Sequence, residues 1–128
     1  MGHARNFREF KVWKDSVEYC TSIYSLCSTM PWFEKKGLGD QLQRASVSIP
    51  SNIAEGAGRS SDAEFAHFLD NALGSAYEVE TQLQIAKNVK YIPDDIFNEM
   101  NGRLVDIERQ LYALIRTIRT NTNSKPKE

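Results

Sequence analysis

Between Phe65 and Ala86, apolar residues recur at Phe65, Leu69, Ala72, Ala76, Val79, Leu83 and Ala86, in alternating steps of four and three. A helix gathers such residues onto one seam, whereas a strand would scatter them over both of its faces. A seam held for three heptads has to be buried against other helices. Two further segments carry the same spacing: Phe10, Trp13, Val17, Cys20, Tyr24 and Cys27, then Phe97, Met100, Leu104, Ile107, Leu111, Leu114 and Ile118. Val12, Tyr19, Ile23 and Leu26 widen the first of these. No stretch alternates as a half-buried strand does. The expectation is all-α: an up-down-up-down antiparallel four-helix bundle forming a single domain over 1–128. Its helices are placed at 8–28, 39–57, 62–90 and 94–119, with a disordered tail at 120–128.

The connections fit these bounds. Met30-Pro31 closes the first helix, because proline disfavours helical geometry in the residue before it. Gly56 and Gly58 close the second. Ser61 with Glu64 fits a capping box for the third, and Pro93-Asp94-Asp95 opens the fourth. Trp32 and Phe33 are expected to cap the end of the core.

The second helix is unusual. Over Gln41–Arg59 its apolar residues fall on two faces: Leu42, Ala45, Ile49, Ile53 and Gly56 on one, Val47 and Ala54 on another. Few long, flexible polar side chains remain to meet solvent, so the helix is expected to be covered on most sides. The bundle covers one face, and a neighbouring subunit is the expected cover for the other. Pro50 removes one hydrogen bond from this helix. The expectation is a single kinked helix, with Ser46 and Ser48 near the freed carbonyl; a break at Pro50 is the alternative. A polar stripe of Arg44, Ser48, Asn52, Glu55 and Arg59 runs along it. The preferred reading is a structural network, with Glu78 on the third helix as counter-ion to Arg44 or Arg59. The stripe holds no histidine and no nucleophile–base pair, so no catalytic residue is assigned.

Net charge is −1 over 128 residues, so any nucleic-acid surface has to come from local segregation of charge. Arg109, Arg116 and Arg119, off the seam of the fourth helix, are the candidates. No run of about 18 apolar residues is present, so no membrane partner is expected. The first ten residues lack an apolar signal core, and the chain reads as cytoplasmic. Cys20 and Cys27 would stand about 10 Å apart on one helix, too far for a disulfide, and read as reduced core residues. One Glu64-x-x-His67 pattern is half of what a di-iron bundle needs, so no metal and no cofactor are expected.

The central stretch also resembles a known family. Arg44-Ala45, Ser48-Ile49-Pro50-Ser51-Asn52-Ile53-Ala54-Glu55-Gly56 and Gly58-Arg59 follow the pattern of the small four-helix-bundle proteins encoded in intervening sequences of bacterial 23S rRNA genes. Gly74-Ser75-Ala76-Tyr77-Glu78-Val79-Glu80-Thr81-Gln82-Leu83 matches a second block of that family. Val12-Trp13, Phe68-Leu69 and Tyr91-Ile92 fit as well, and the likeness covers roughly Phe10–Leu114. Ala76 and Val79 stand where leucine is expected, which implies a slimmer core there. The resemblance implies a homo-oligomer, a ring-shaped pentamer. A related group is the accessory variability determinant of diversity-generating retroelements, which binds a reverse transcriptase and nucleic acid through a basic surface.

The function expected from all this is a non-enzymatic oligomeric protein that binds RNA or DNA or acts as a scaffold. The alternative is an accessory subunit dedicated to a protein partner such as a reverse transcriptase. A small enzyme using Arg44, Asn52, Glu55 and Glu78 is the least expected of the three.

Overall fold

The computed structural model describes residues 5–124, with side chains to Asn121. Four α-helices make up the fold: α1 (Lys11–Ser28), α2 (Leu38–Ala57), α3 (Asp62–Asn88) and α4 (Asp94–Ser124). Single 3-10 turns at Phe7–Glu9 and Trp32–Glu34 precede α1 and α2. There is no strand among the described residues. One buried apolar cluster draws on all four helices. Each helix packs on the next in sequence, and α1 also meets α4.

The α3 seam is buried throughout, from Phe65 at 3% exposed to Ala86 at 0%. The predicted α1 seam is buried only in part: Cys20 and Cys27 are buried, and Phe10 and Trp13 pack against the core. Val12, Ser16, Tyr19, Ile23 and Leu26 face the core, while Val17 and Tyr24 remain 38% and 49% exposed. The chain offers two apolar strips about 100° apart on α1, and the one that lies between α2 and α4 wins. Cys20 and Cys27 mark the α2 side; Ser22 and Asp15 mark the α4 side through Arg103 and Gln110. In α4, Ile115 rather than Leu114 is buried, at the step of four after Leu111.

Helix bounds differ modestly from those expected. Phe10 takes an extended conformation (φ −71°, ψ 125°), so Arg8 belongs to a separate turn capped by the Asn6 side chain. α3 ends at Asn88 because Lys90 adopts a left-handed conformation (φ 67°), from which the Tyr91 N–H reaches Ala86 O at 2.8 Å. α4 continues five residues past Arg119, to Ser124. The polar run there contains no helix breaker before Pro126, and a formed helix propagates at little cost. The rest of the expected tail, 125–128, lies outside the described residues. Trp32 and Phe33 do not cap the core: they are 81% and 59% exposed.

α2 runs unbroken through Pro50. The missing N–H of Pro50 would have bonded the carbonyl four residues back, that of Ser46. That carbonyl accepts instead from Cys20 Sγ on α1, at 2.9 Å. The Ser46 hydroxyl donates elsewhere, to Gln43 O, and Ser48 bonds to neither. Cys27 Sγ donates likewise to Gly39 O at 3.5 Å. Burial pushes both thiols above the ordinary range, which keeps them protonated as donors.

The turn between α2 and α3 is held from outside. Arg5 Nη1 donates to Arg59 O at 2.8 Å, and its Nη2 pairs with Asp62. The same guanidinium lies over the Phe65 ring, 4.7 Å from its centroid. Ser61 caps α3 by accepting from Glu64 N–H. Close by, a β-carbon at Gly56 would lie 2.5 Å from Phe68 Cβ, so only glycine permits this α2–α3 approach.

Cys20→Ala leaves the Ser46 carbonyl buried without a donor and should cost about 1–3 kcal/mol in urea unfolding. Cys20→Ser keeps a donor and should recover part of that loss. Equal stability of the alanine and wild-type chains would show that the thiol does not satisfy the proline's freed carbonyl.

Candidate functional site

The polar stripe of α2 lies along its α3 edge, but it is not one network. Arg44 pairs with Asp40 at 3.5 Å, and its side chain is 81% exposed. Arg59 pairs with Glu55 at 2.7 Å and stacks over the Phe68 ring. Asn52 Nδ2 donates to Ser48 O and to Ser48 Oγ, at 2.8 and 2.9 Å. Glu78 pairs with neither arginine; it accepts from Gln82 Nε2 at 3.3 Å. Each arginine finds a carboxylate one turn away on its own helix, where no long side chain has to be stretched across a groove.

One bond does cross from α2 to α3. Ser75 Oγ donates to Ser48 Oγ at 2.8 Å. Ser75 is not among the candidate residues, although it stands in the second family-like block. A serine facing a serine across two helices carries no periodic or charge signal, so only the resemblance could have found it. Exposed same-helix ion pairs contribute only a few tenths of a kcal/mol each. The stripe is therefore a set of local links and does not gather Arg44, Asn52, Glu55 and Glu78 around a common point.

The α4 arginines are also treated unequally. Arg109 is exposed. Arg116 lies 5.9 Å from the centroid of the exposed Tyr112 ring. Arg119 makes a two-pronged contact with Asp70 on α3, through Nη1 at 3.3 Å and Nη2 at 2.5 Å. The basic face is weaker than three free guanidinium groups would be.

Between α3 and α4 lies an open groove of about 620 Å³, with Tyr77 and Phe97 among its walls and Glu80, Asn101 and Glu108 among its polar groups. Burial, and then the neighbouring Glu80 carboxyl, push Glu108 up to about 8. No arginine or lysine forms an ion pair with either carboxyl among the described residues. Holding the Glu108 proton is the way this site avoids two uncompensated charges side by side. Tyr19, fully buried in the core, is raised by burial above its ordinary range and keeps its hydroxyl proton. At the α1–α4 edge, the Lys11 ammonium holds Asp15 below the usual carboxylate range, assisted by Gln110.

His67 is exposed beside Phe68 and Arg59. Among the described residues, no three His, Cys, Asp or Glu side chains gather where they could hold a metal ion. Nor, among the described residues, is any helix long and apolar enough to cross a membrane.

The protonated Glu108 carboxyl favours the folded state. Its contribution is full below the ordinary pKa of 4.5 and declines as pH rises towards and past about 8. The expected result is a melting temperature that falls from pH 6 to pH 9, and a Glu108→Gln variant with a flatter profile over the same range. Parallel profiles for the two proteins would remove the carboxyl pair as the cause.

A family model for the 23S rRNA-intervening sequence protein matches residues 8–113. That span takes in the α2 stripe, Ser75 and Arg109, and ends before Arg116 and Arg119. Among solved structures, the chain is similar to a protein of unknown function from the S23 ribosomal protein family of Bacteroides thetaiotaomicron. The identity is 27% and the TM-score 0.77, covering 82% of this chain and 95% of that one. No curated protein matches the chain.

Proposed function

The chain belongs to the 23S rRNA-intervening sequence protein family, and from that membership we propose that it works as a non-catalytic, self-assembling bundle. The observation that carries this reading is an apolar strip left uncovered across α1 and α2. Val17 and Tyr24 stand seven residues apart on α1, and Val47 and Ala54 seven apart on α2. Val17, Tyr24 and Val47 are 38%, 49% and 40% exposed. The Cys20–Ser46 and Cys27–Gly39 bonds bring these two helix edges together. Seven residues forward on α1 is seven back on α2, which supports opposite helix directions. The Ser22–Arg103 and Asp15–Gln110 bonds support the same relation between α1 and α4, in keeping with an up-down-up-down bundle.

A second copy of the chain is the cover we propose for this strip, in a closed ring of five, as the family resemblance implies. Apolar side chains that line up on adjacent helices are what such an interface buries. Light scattering should then give a multiple of 14.6 kDa. A Val17→Asp, Val47→Asp double variant should run at the single-chain mass with its helical content intact. A wild-type mass of one chain would sink the self-assembly reading.

Within such a ring, Arg109, Arg116 and Tyr112 would be repeated on the outer side of α4, and we propose this face as an RNA contact. Arg119 contributes less, since Asp70 already compensates it. Replacing the three arginines with alanine should weaken RNA binding. The slope of log K against log salt should shrink by ~0.7–0.9 for each phosphate that an arginine no longer neutralises. Asp70→Ala should strengthen binding by releasing Arg119. Unchanged affinity in both variants would exclude this face. In that event, co-purification of a protein from the native host that depends on the arginines would favour the accessory-subunit alternative.

A further inference from the structure

Opposite the turn that joins α2 to α3, the α1–α2 and α3–α4 connections bring three aromatic rings together. Trp32 and Phe33 meet edge to face at 6.0 Å and 85°. Phe33 and Tyr91 do the same at 6.5 Å and 74°. The row is held in place: Trp32–Glu34 is a closed 3-10 turn, and the Tyr91 N–H is tied to Ala86 O. Yet Trp32 is 81% exposed, Phe33 59% and the adjoining Val89 50%. An exposure of that size leaves ring surface open to a ligand, because an edge-to-face contact occupies at most one face of one ring in each pair.

Lysines accompany this row. Lys35 and Lys36 follow directly on the aromatic turn, and Lys90 precedes Tyr91. All three are exposed, and none is in an ion pair among the described residues. Lys87, one turn back from Tyr91, lies over the Phe97 ring at 4.7 Å. The acids at this end are Glu34, beside Gly37, Asp40 in the first turn of α2, which Arg44 pairs, and Asp94 and Asp95 in the first turn of α4. The helix N-terminus partly compensates the last two.

We propose that this end of the bundle is a stacking site for unpaired bases of single-stranded nucleic acid, with Trp32 and Phe33 as the platform and Lys35, Lys36 and Lys90 contacting the phosphates. Open aromatic faces flanked by cations are what an unpaired strand requires, and every base has a face to stack. In a duplex, those faces are already used by neighbouring base pairs. A protein partner fits less well, because lysine is depleted where proteins bury apolar surface together. The site is separate from the α4 arginines and does not require self-association.

The test uses the full chain with oligouridine, a duplex RNA of equal length and phosphatidylserine vesicles, each titrated over a salt series. Oligouridine should quench tryptophan fluorescence, and Trp32→Phe should abolish most of the quenching, since Trp13 is partly buried on α1. A Trp32→Ala, Phe33→Ala variant should bind oligouridine at least ~10-fold more weakly. Both residues are exposed, so circular dichroism should be unchanged. Lys35→Glu with Lys36→Glu should also weaken binding while leaving the aromatic row intact. Absence of binding, equal binding by the aromatic variant, preference for the duplex, or quenching by vesicles alone would each overturn the proposal.

Discussion

A proline in the helix with two apolar faces sets the terms for the rest of this bundle. Pro50 is buried, so the carbonyl it frees cannot turn to bulk water. A buried carbonyl without a donor is costly, and the donor here comes from another helix: the Cys20 thiol. That bond fixes which side of α1 faces α2. With the Cys27 bond one heptad on, it also fixes their register. Once Cys20 and Cys27 are turned to α2, Tyr19 and Ile23 must enter the core and Val17 and Tyr24 must face out. The uncovered strip is thus a consequence of how the proline is accommodated.

The same bond separates what can be read from residues alone from what cannot. The α3 seam is legible because its neighbouring strip is interrupted and only one phase buries large side chains over its whole length. On α1, two strips have similar apolar content, and periodicity cannot choose between them. The choice is made by a side chain-to-carbonyl bond between residues 26 apart, which no window along the sequence contains. Leu114 and Ile115 pose the same ambiguity on α4 at the scale of one residue. The role of Cys20 is hidden for a related reason. Its small size and apolar setting mark a core residue equally well whether or not its thiol has a task.

The candidate site is legible as a set of residues but not as a network. Arg44, Ser48, Asn52, Glu55 and Arg59 do share one edge of α2. Helical period alone dictates that. What it does not dictate is whether an arginine reaches across or along its helix. Asp40 and Glu55 settle this locally, and the crossing bond falls to two serines, whose short side chains require the helix backbones to be close. Gly56 permits that closeness at one end, where Phe68 occupies the space a β-carbon would need. Arg5 gives no sign of its role in the sequence: it precedes the first helix, and its partners Arg59 O and Asp62 are 54 and 57 residues away.

Charge is distributed so that the faces of the bundle differ in kind. Ion pairs that compensate charge lie along single helices or tie neighbouring ones, as Arg119 does with Asp70. Two sets that no ion pair compensates among the described residues lie apart: the lysines at the aromatic end, and the carboxyl pair Glu80 and Glu108 in the α3–α4 groove. The two cannot be equivalent as binding surfaces. Exposed lysines keep their charge and their solvent shell until a ligand arrives, so they can meet an anion at little cost in desolvation. Burial beside Glu80 favours the neutral form of Glu108, so this pair offers a cation less than its composition indicates. A chain of net charge −1 can therefore hold a cluster of cations at one end without being a basic protein, because several of its acids, Asp15, Asp40, Glu55 and Asp70 among them, are paired with other cations.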